Sequence, residues 1–207
     1  MTLRPGPSRT ENAKPSTNEY QSLAMPALCR GLETGRQRIL DLGPALGSNV
    51  GFFSHLPCSL FIADLHEALF PSTSNGVIRR RDSFDELLRA ELPADNDFDL
   101  ILAWDLLNYL DRDEMRSLSR HLASVCSPGA VLFALVTTRK VMPNKPAVFR
   151  ILEPARLSYE LESGVRREAP MYKEPELIRA MSEFSVESTF LLRNGMQEYL
   201  FTRRTSG

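Results

Sequence analysis

The chain has 207 residues, a length that suits one domain, with a net charge of −1, 43% hydrophobic residues and 25% charged residues. A chain of this length buries roughly 70% of its surface on folding, and the composition excludes disordered, collagen-like and coiled-coil classes. The balanced charge argues against a protein that binds nucleic acid mainly through bulk charge.

Cysteine spacing and hydropathy predict a soluble, cytoplasmic protein. Cys29, Cys58 and Cys126 lack the spacing of a zinc site or a disulfide framework, so we expect free thiols and no bound metal. Residues 1–16 contain three prolines and few apolar side chains, which predicts a flexible leader without the apolar core of a secretory signal. No apolar run reaches the roughly 20 residues of a membrane span.

Helix and strand patterns alternate along residues 17–207, which we expect to form a single domain. The first half predicts a helix over 20–32, a strand over 36–43, a helix over 48–56, a strand over 59–65, a helix over 83–92 and a strand over 98–104. The second half predicts a helix over 111–129, a strand over 130–138, a helix over 175–181 and strands over 184–193 and 196–204. Strands that are apolar on both faces and alternate with helices are typical of a three-layer αβα sandwich.

Three local signals refine this pattern. Asp111 and Glu114 have the spacing of a helix-capping box. Asn194 and Gly195 separate the last two strands and indicate a hairpin turn. Residues 139–173 contain four prolines and interrupt the alternation, so we interpret them as a lid-like insertion.

The turn after the first predicted strand has the small residues that let a ligand approach the backbone. It contains Asp41, Gly43, Ala45 and Gly47, and Asp64 follows the second strand. Ligands of open α/β sheets bind at the carboxyl ends of the strands, where a carboxylate can accept hydrogen bonds from ribose hydroxyls. In the register of a dinucleotide-binding fingerprint, two of the three required glycines are replaced by alanine and serine, which disfavours a nicotinamide-dependent oxidoreductase.

These motifs resemble those of the class I S-adenosylmethionine (SAM) dependent methyltransferases, with Ala45 in place of the middle glycine of the first motif. The resemblance implies a Rossmann-like sheet of seven mostly parallel strands with an antiparallel C-terminal hairpin. It also implies SAM as the cofactor. The residues that it assigns to SAM binding are Asp41, Gly43, Pro44, Ala45, Gly47, Asn49, Asp64, Leu65, Asp82, Ser83 and Trp104.

Methyl transfer to a small-molecule acceptor is the function that this resemblance implies. Asp105 and Tyr109 follow the fourth strand, so we take them as candidate catalytic residues that orient or deprotonate the acceptor. The insertion at 139–173 has eight Lys and Arg residues against four Glu, a surplus that can attract an anionic substrate. His66 lies close to Asp64 in sequence, and we expect it at the surface.

Other functions fit the sequence less well. The alternative from another class is a non-catalytic, methyltransferase-like scaffold or partner subunit. An aminopropyl-transferring enzyme of the same fold would need an acidic substrate loop after the fourth strand, and the sequence has no such loop there. The chain also lacks the Asp/Asn-Pro-Pro-aromatic motif of enzymes that methylate DNA amino groups.

Overall fold

The structure is a computed structural model that describes residues 16–33, 35, 37–71, 84–94, 97–161 and 164–205. Its helices are α1 (Met25–Glu33), α2 (Gly47–Phe53), α3 (Leu65–Leu69), α4 (Phe84–Glu91), α5 (Arg112–Val125) and α6 (Glu174–Ala180), with a 3₁₀ turn at Leu106–Tyr109. Its strands are β1 (Ser16–Gln21), β2 (Gln37–Asp41), β3 (Cys58–Ile62), β4 (Phe98–Trp104), β5 (Cys126–Thr137), β6 (Val141–Pro143), β7 (Val148–Glu153), β8 (Arg156–Leu161), β9 (Arg166–Glu168), β10 (Phe184–Leu191) and β11 (Met196–Arg203). Within these ranges no helix is long and apolar enough to cross a membrane.

The main sheet has the strand order β10-β11-β5-β4-β2-β3. Its four strands β3, β2, β4 and β5 are parallel, while β11 and β10 form the expected antiparallel hairpin. The described part of the sheet has six strands, so the expected count of seven is not confirmed. Residues 77–83, which include Asp82 and Ser83, lie outside the described residues.

Two hydrophobic cores on opposite faces of the main sheet give the predicted three layers. Alternate residues of β4 supply both cores, since Ile101 and Ala103 pack with α3, α4, α5 and α6. Leu100, Leu102 and Trp104 pack on the other face with α1, α2 and strands of the insertion. A strand that is apolar on both faces is what the centre of a parallel sheet requires.

The predicted capping box is present at the start of α5. Asp111 Oδ1 accepts hydrogen bonds from the amides of Asp113 and Glu114 at 2.9 Å, and Glu114 Oε2 accepts from the amide of Asp111 at 2.9 Å. The helix ends at Val125, earlier than predicted. The reason is that Cys126 already pairs with β4, so strand pairing replaces the last turn of the helix.

The insertion contributes strands to two small antiparallel sheets that the sequence pattern did not predict. One has the order β1-β8-β7, and the other pairs β6 with β9. The helix predicted over 20–32 is therefore wrong in its first part, because Ser16–Gln21 pairs with Arg156–Leu161 and helix α1 begins only at Met25. Residues 1–15 of the predicted leader lie outside the described residues, and its last residue, Ser16, is the first residue of β1. Long-range pairing here overrides a locally helical spacing.

A buried carboxylate on β11 anchors the segment between β1 and α1. Glu198 is fully buried, and its Oε2 accepts hydrogen bonds from the amides of Leu23 and Ala24 at 2.9 Å. The amide of Met25 donates to Ser22 Oγ at 3.0 Å, which completes the start of α1. One side chain of the main sheet thus fixes the path of the N-terminal segment.

We predict that Glu198→Ala lowers the free energy of unfolding by about 2 to 4 kcal/mol, because two amide donors lose their buried acceptor. Urea denaturation measures the loss. Glu187→Ala on the neighbouring strand is the matched control, since Glu187 is exposed and its change should cost less than about 0.5 kcal/mol. Equal losses in the two variants would contradict the anchoring role.

Candidate functional site

The turn after β2 is closed by the side chain of Asp41, which is 1% exposed. Asp41 Oδ1 accepts hydrogen bonds from the amide of Gly43 at 2.9 Å and from Trp104 Nε1 at 2.6 Å. Burial raises the pKa of Asp41 to about 6, although both hydrogen bonds oppose the rise. Asp41 therefore ties the first turn to the end of β4.

Trp104 adopts a left-handed backbone conformation, with φ at 47°. Its indole stacks on Phe149 of β7, with ring centroids 5.4 Å apart and planes 7° apart, and meets Phe133 edge-on at 5.9 Å. A Cβ atom added to Gly43 would lie 2.8 Å from Trp104 Cδ1, so the glycine is required by the indole itself. The resemblance assigns Trp104 to SAM binding, and the structure packs its side chain in the core at 1% exposure.

Asn49, in the first turn of α2, bonds to the insertion. Its Nδ2 donates to the carbonyl oxygen of Phe149 at 3.1 Å, and its Oδ1 accepts from the amide of Ile151 at 2.9 Å. Both polar atoms of the side-chain amide of Asn49, a residue that the resemblance assigns to SAM binding, therefore bond to β7. Ala45 and Gly47 are exposed, and a Cβ atom on Gly47 would meet nothing within 4 Å.

A cavity of about 320 Å³, called here the first cavity, lies between the first turn, the start of α3 and the insertion. Its lining residues are Pro44, Asp64, His66, Glu67, Phe70, Lys145, Pro146, Val148, Glu160 and Leu161. Asp64 is half-buried and caps α3, because its Oδ1 accepts from the amide of Glu67 at 2.9 Å. Leu65 points into the core instead and is fully buried.

His66 is a functional candidate that the sequence analysis placed wrongly at the surface. Its side chain is 8% exposed and lines the first cavity. Burial lowers the pKa of His66 to about 4, so the imidazole is neutral at pH 7. Its Nε2 has no hydrogen-bond partner within the described part of the chain. A buried polar atom without a partner, in a side chain that lines a cavity, marks a place where a ligand would bond.

A second cavity, of about 60 Å³, contains the two candidate catalytic residues, Asp105 and Tyr109. Its other lining residues are Asn108, Thr137, Arg139, Val141, Met142, Pro143, Ala147, Phe149, Tyr159, Leu161, Arg166, Asn194, Gly195 and Met196. Asp105 is 8% exposed, and its Oδ2 accepts from the amide of Ala147 at 3.0 Å, while Oδ1 has no partner among the described residues. Burial raises the pKa of Asp105 to about 7.

Tyr109 holds the insertion instead of offering a free hydroxyl. Its Oη donates to the carbonyl oxygen of Lys145 at 2.6 Å, and burial raises the pKa of the phenol well above its usual value. The guanidinium of Arg167 lies 5.0 Å from the centre of the same ring. Tyr109 is therefore a positioning residue in this structure.

One segment of the insertion separates the two cavities. Pro146 and Val148 line the first cavity, whereas Ala147 and Phe149 line the second. The structure thus places Pro44 and Asp64 in one cavity and Asp105 in the other. This dividing segment could not be predicted from local sequence patterns, because its contacts to Asn49 and Asp105 span large distances along the chain.

Comparison with known proteins gives the class of this fold. No family model and no curated protein sequence matches the chain. Among solved structures, a SAM-dependent methyltransferase from Clostridium acetobutylicum superposes with a TM-score of 0.51 at 13% identity, covering 88% of this chain and 89% of that one. A second, from Mesorhizobium loti, gives a TM-score of 0.50 at 19% identity, over 86% of this chain and 96% of that one.

A third similar structure is a SAM-dependent methyltransferase from Methanosarcina mazei, with a TM-score of 0.50, 14% identity, and coverage of 87% of this chain and 98% of that one. At these identities the likeness concerns the fold. The chain has the fold of the class I SAM-dependent methyltransferases.

We predict that Asp105 makes the protein less stable as pH rises from about 4 to about 7. Its folded pKa of about 7 lies above the value of about 3.9 expected in the unfolded chain, so the folded state holds the extra proton between these values. The contribution is fully present below pH 4 and is lost as pH rises through 7. Asp105→Asn keeps an acceptor for the amide of Ala147. At pH 8 its free energy of unfolding should exceed that of the wild type by at most ~4 kcal/mol.

Urea denaturation of both proteins between pH 4 and pH 8 measures this difference. Asp41 and His66 titrate in both proteins, so the difference between the two curves isolates Asp105. Parallel pH profiles would show that Asp105 does not carry the effect.

Proposed function

We propose that the protein is a SAM-dependent methyltransferase that holds the adenosine half of the cofactor in the first cavity and methylates a small-molecule acceptor. The observation that carries the proposal is this cavity at the carboxyl ends of β2 and β3, lined by Asp64 and by His66, whose Nε2 has no partner among the described residues. Open α/β sheets bind ligands at this edge, and about 320 Å³ is a usual size for a ligand pocket.

The residues of the first cavity suit the adenosine half of SAM. Asp64 has a half-buried carboxylate for the ribose hydroxyls, His66 offers Nε2, and Pro44 supplies an apolar wall. Asp82 and Ser83 are the proposed contacts to adenine. When bound, SAM supplies an electrophilic methyl group, and the protein's task is to align the acceptor and to exclude water.

Asp105 is the proposed proton acceptor of the reaction. Its Oδ1 has no partner among the described residues, and its pKa of about 7, raised by burial, suits proton transfer near neutral pH. A cytoplasmic location is part of the same proposal. The thiols of Cys29, Cys58 and Cys126 are free, as a reducing compartment requires.

Calorimetric titration with SAM and with S-adenosylhomocysteine tests the proposal, and we expect saturable binding of both. Asp64→Ala should cost about 1 to 3 kcal/mol of binding free energy, because the ribose loses a charge-assisted acceptor. Asp64→Asn keeps an oxygen to cap α3, so it separates loss of the ribose contact from loss of the helix cap.

Asp113→Asn is the matched control for this titration. Asp113 is an exposed carboxylate on α5, outside both cavities, and its variant should bind SAM as the wild type does. Absence of SAM binding by the wild-type protein would overturn the proposed function.

A second candidate function is a non-catalytic scaffold of the methyltransferase fold. It is favoured by the packing beside Gly43, where the indole of Trp104 and the ring of Phe149 occupy the space between the first turn and Asp105. Asn49 binds β7 over the same place. For SAM to reach Asp105, the segment at 145–149 has to move.

Replacement of Phe149 separates the two candidates. Phe149→Leu weakens the stack on Trp104 while keeping an apolar side chain. We expect it to raise the affinity for SAM severalfold, because fewer packing contacts have to be broken when SAM binds. Calorimetry measures the affinity, and the fluorescence of Trp104, the only tryptophan, reports movement of the stack.

Phe190→Leu on β10 is the control, since Phe190 packs against the same core outside both cavities. Equal SAM affinity in wild type and Phe149→Leu, with unchanged Trp104 fluorescence, would show that the stack does not compete with the cofactor. No SAM binding by either protein would favour the scaffold.

A further inference from the structure

Two residues that line the second cavity each have a buried polar atom without a partner in the described part of the chain. They are Oδ1 of Asp105 and Nδ2 of Asn194. The remaining polar atoms of both side chains are engaged, since Asp105 Oδ2 accepts from the amide of Ala147 and Asn194 Oδ1 accepts from the amide of Met196 at 3.1 Å. Because buried polar groups in proteins are generally hydrogen-bonded, an acceptor and a donor left over in one cavity define what a ligand has to offer.

Two arginines mark the mouth of this cavity. Arg139 and Arg166 are exposed and belong to its lining. The side chain of Arg139 lies against Gly195 in the hairpin turn, where an added Cβ atom would be 2.5 Å from Arg139 Nε. Guanidinium groups bind carboxylates and phosphates by paired hydrogen bonds, so the mouth favours an anionic group.

The walls between these polar ends are apolar and aromatic. Phe149 and Tyr159 lie with their ring centres 5.7 Å apart, and Met142 and Met196 complete the wall. The volume of about 60 Å³ holds several water molecules but is smaller than the roughly 150 Å³ cavity that accepts benzene. A polar group of the ligand therefore reaches Asp105, while the rest of the ligand lies toward the arginines.

We propose that the second cavity binds the methyl acceptor, through an N–H or O–H group at Asp105 and Asn194 and an anionic group at Arg139 and Arg166. The acceptor class is thus a small anionic amine or phenol. The inference rests on the proposed function only where it calls this ligand the methyl acceptor. Its binding follows from the cavity alone.

Calorimetric titration with four probes tests the inference. The isomers 2-aminobenzoate and 4-aminobenzoate carry both groups at different separations, benzoate lacks the N–H donor, and aniline lacks the anion. We expect at least one aminobenzoate to bind ten times more tightly than both benzoate and aniline. Lack of any such preference would overturn the proposed acceptor class.

Variants of Arg166 and Asp105 test the anionic and the hydrogen-bonding part of the site separately. Arg166→Gln should weaken the binding of the aminobenzoate at least fivefold and leave that of aniline unchanged. Asp105→Asn should reduce the preference for aminobenzoate over benzoate. Arg116→Gln is the control, because Arg116 is an exposed arginine on α5 that pairs with Asp113 outside both cavities. An equal effect of Arg166→Gln and Arg116→Gln would contradict a role of Arg166 in binding the anionic group.

The outcomes for SAM and for the probes are independent. Binding of aminobenzoate by a protein that does not bind SAM would support the site and overturn its assignment to a methyl acceptor. Binding of SAM without a preference among the probes would overturn the acceptor class and leave the proposed function in place.

Discussion

The hydrogen bonds to the buried carboxylate of Asp41 fix the arrangement on which both cavities depend. A carboxylate at 1% exposure is costly to bury unless donors surround it, and the amide of Gly43 and the indole N–H of Trp104 provide them. The hydrogen bond from the indole helps to hold Trp104 at a positive φ. A bulky residue adopts this conformation only where the surrounding structure enforces it. The indole then covers Gly43 and presents a flat face to Phe149, so the first turn and the insertion become one packed unit.

Several contacts hold residues 145–151 of the insertion over the site, and their strength affects how readily a ligand can displace this segment. They include the two hydrogen bonds of Asn49, the stack of Phe149 on Trp104, the bond from the amide of Ala147 to Asp105, and the bond that Tyr109 donates to the carbonyl oxygen of Lys145. These hydrogen bonds and the stack are worth on the order of 5 kcal/mol, and the burial of Phe149 and Ile151 in the core beside α1 and α2 adds to this value. A ligand bound with a dissociation constant of 1 μM releases about 8 kcal/mol. Movement of this segment therefore consumes a large part of a ligand's binding free energy and lowers its affinity.

The parts of the fold that the sequence predicted are those coded by neighbouring residues. The strands of the parallel sheet are short apolar runs, the capping box joins Asp111 to Glu114, and the hairpin turn contains Asn194. The failures have long-range causes. Tyr20 lies in a helical spacing of apolar residues, yet its strand pairs with β8 far along the chain. His66 is buried beside residues of the insertion, and the insertion itself lacks the alternation that would have predicted its strands.

The position of the insertion also couples the two cavities. Successive residues of an extended segment point to opposite sides, so Pro146 and Val148 face the first cavity while Ala147 and Phe149 face the second. Any displacement of this segment changes the walls of both cavities at once. The amide of Ala147 is moreover the only donor from the insertion that the described structure gives to the Asp105 side chain. A ligand that shifts the segment frees this carboxylate, and since such coupling is reciprocal, a ligand held by Asp105 alters the first cavity in turn.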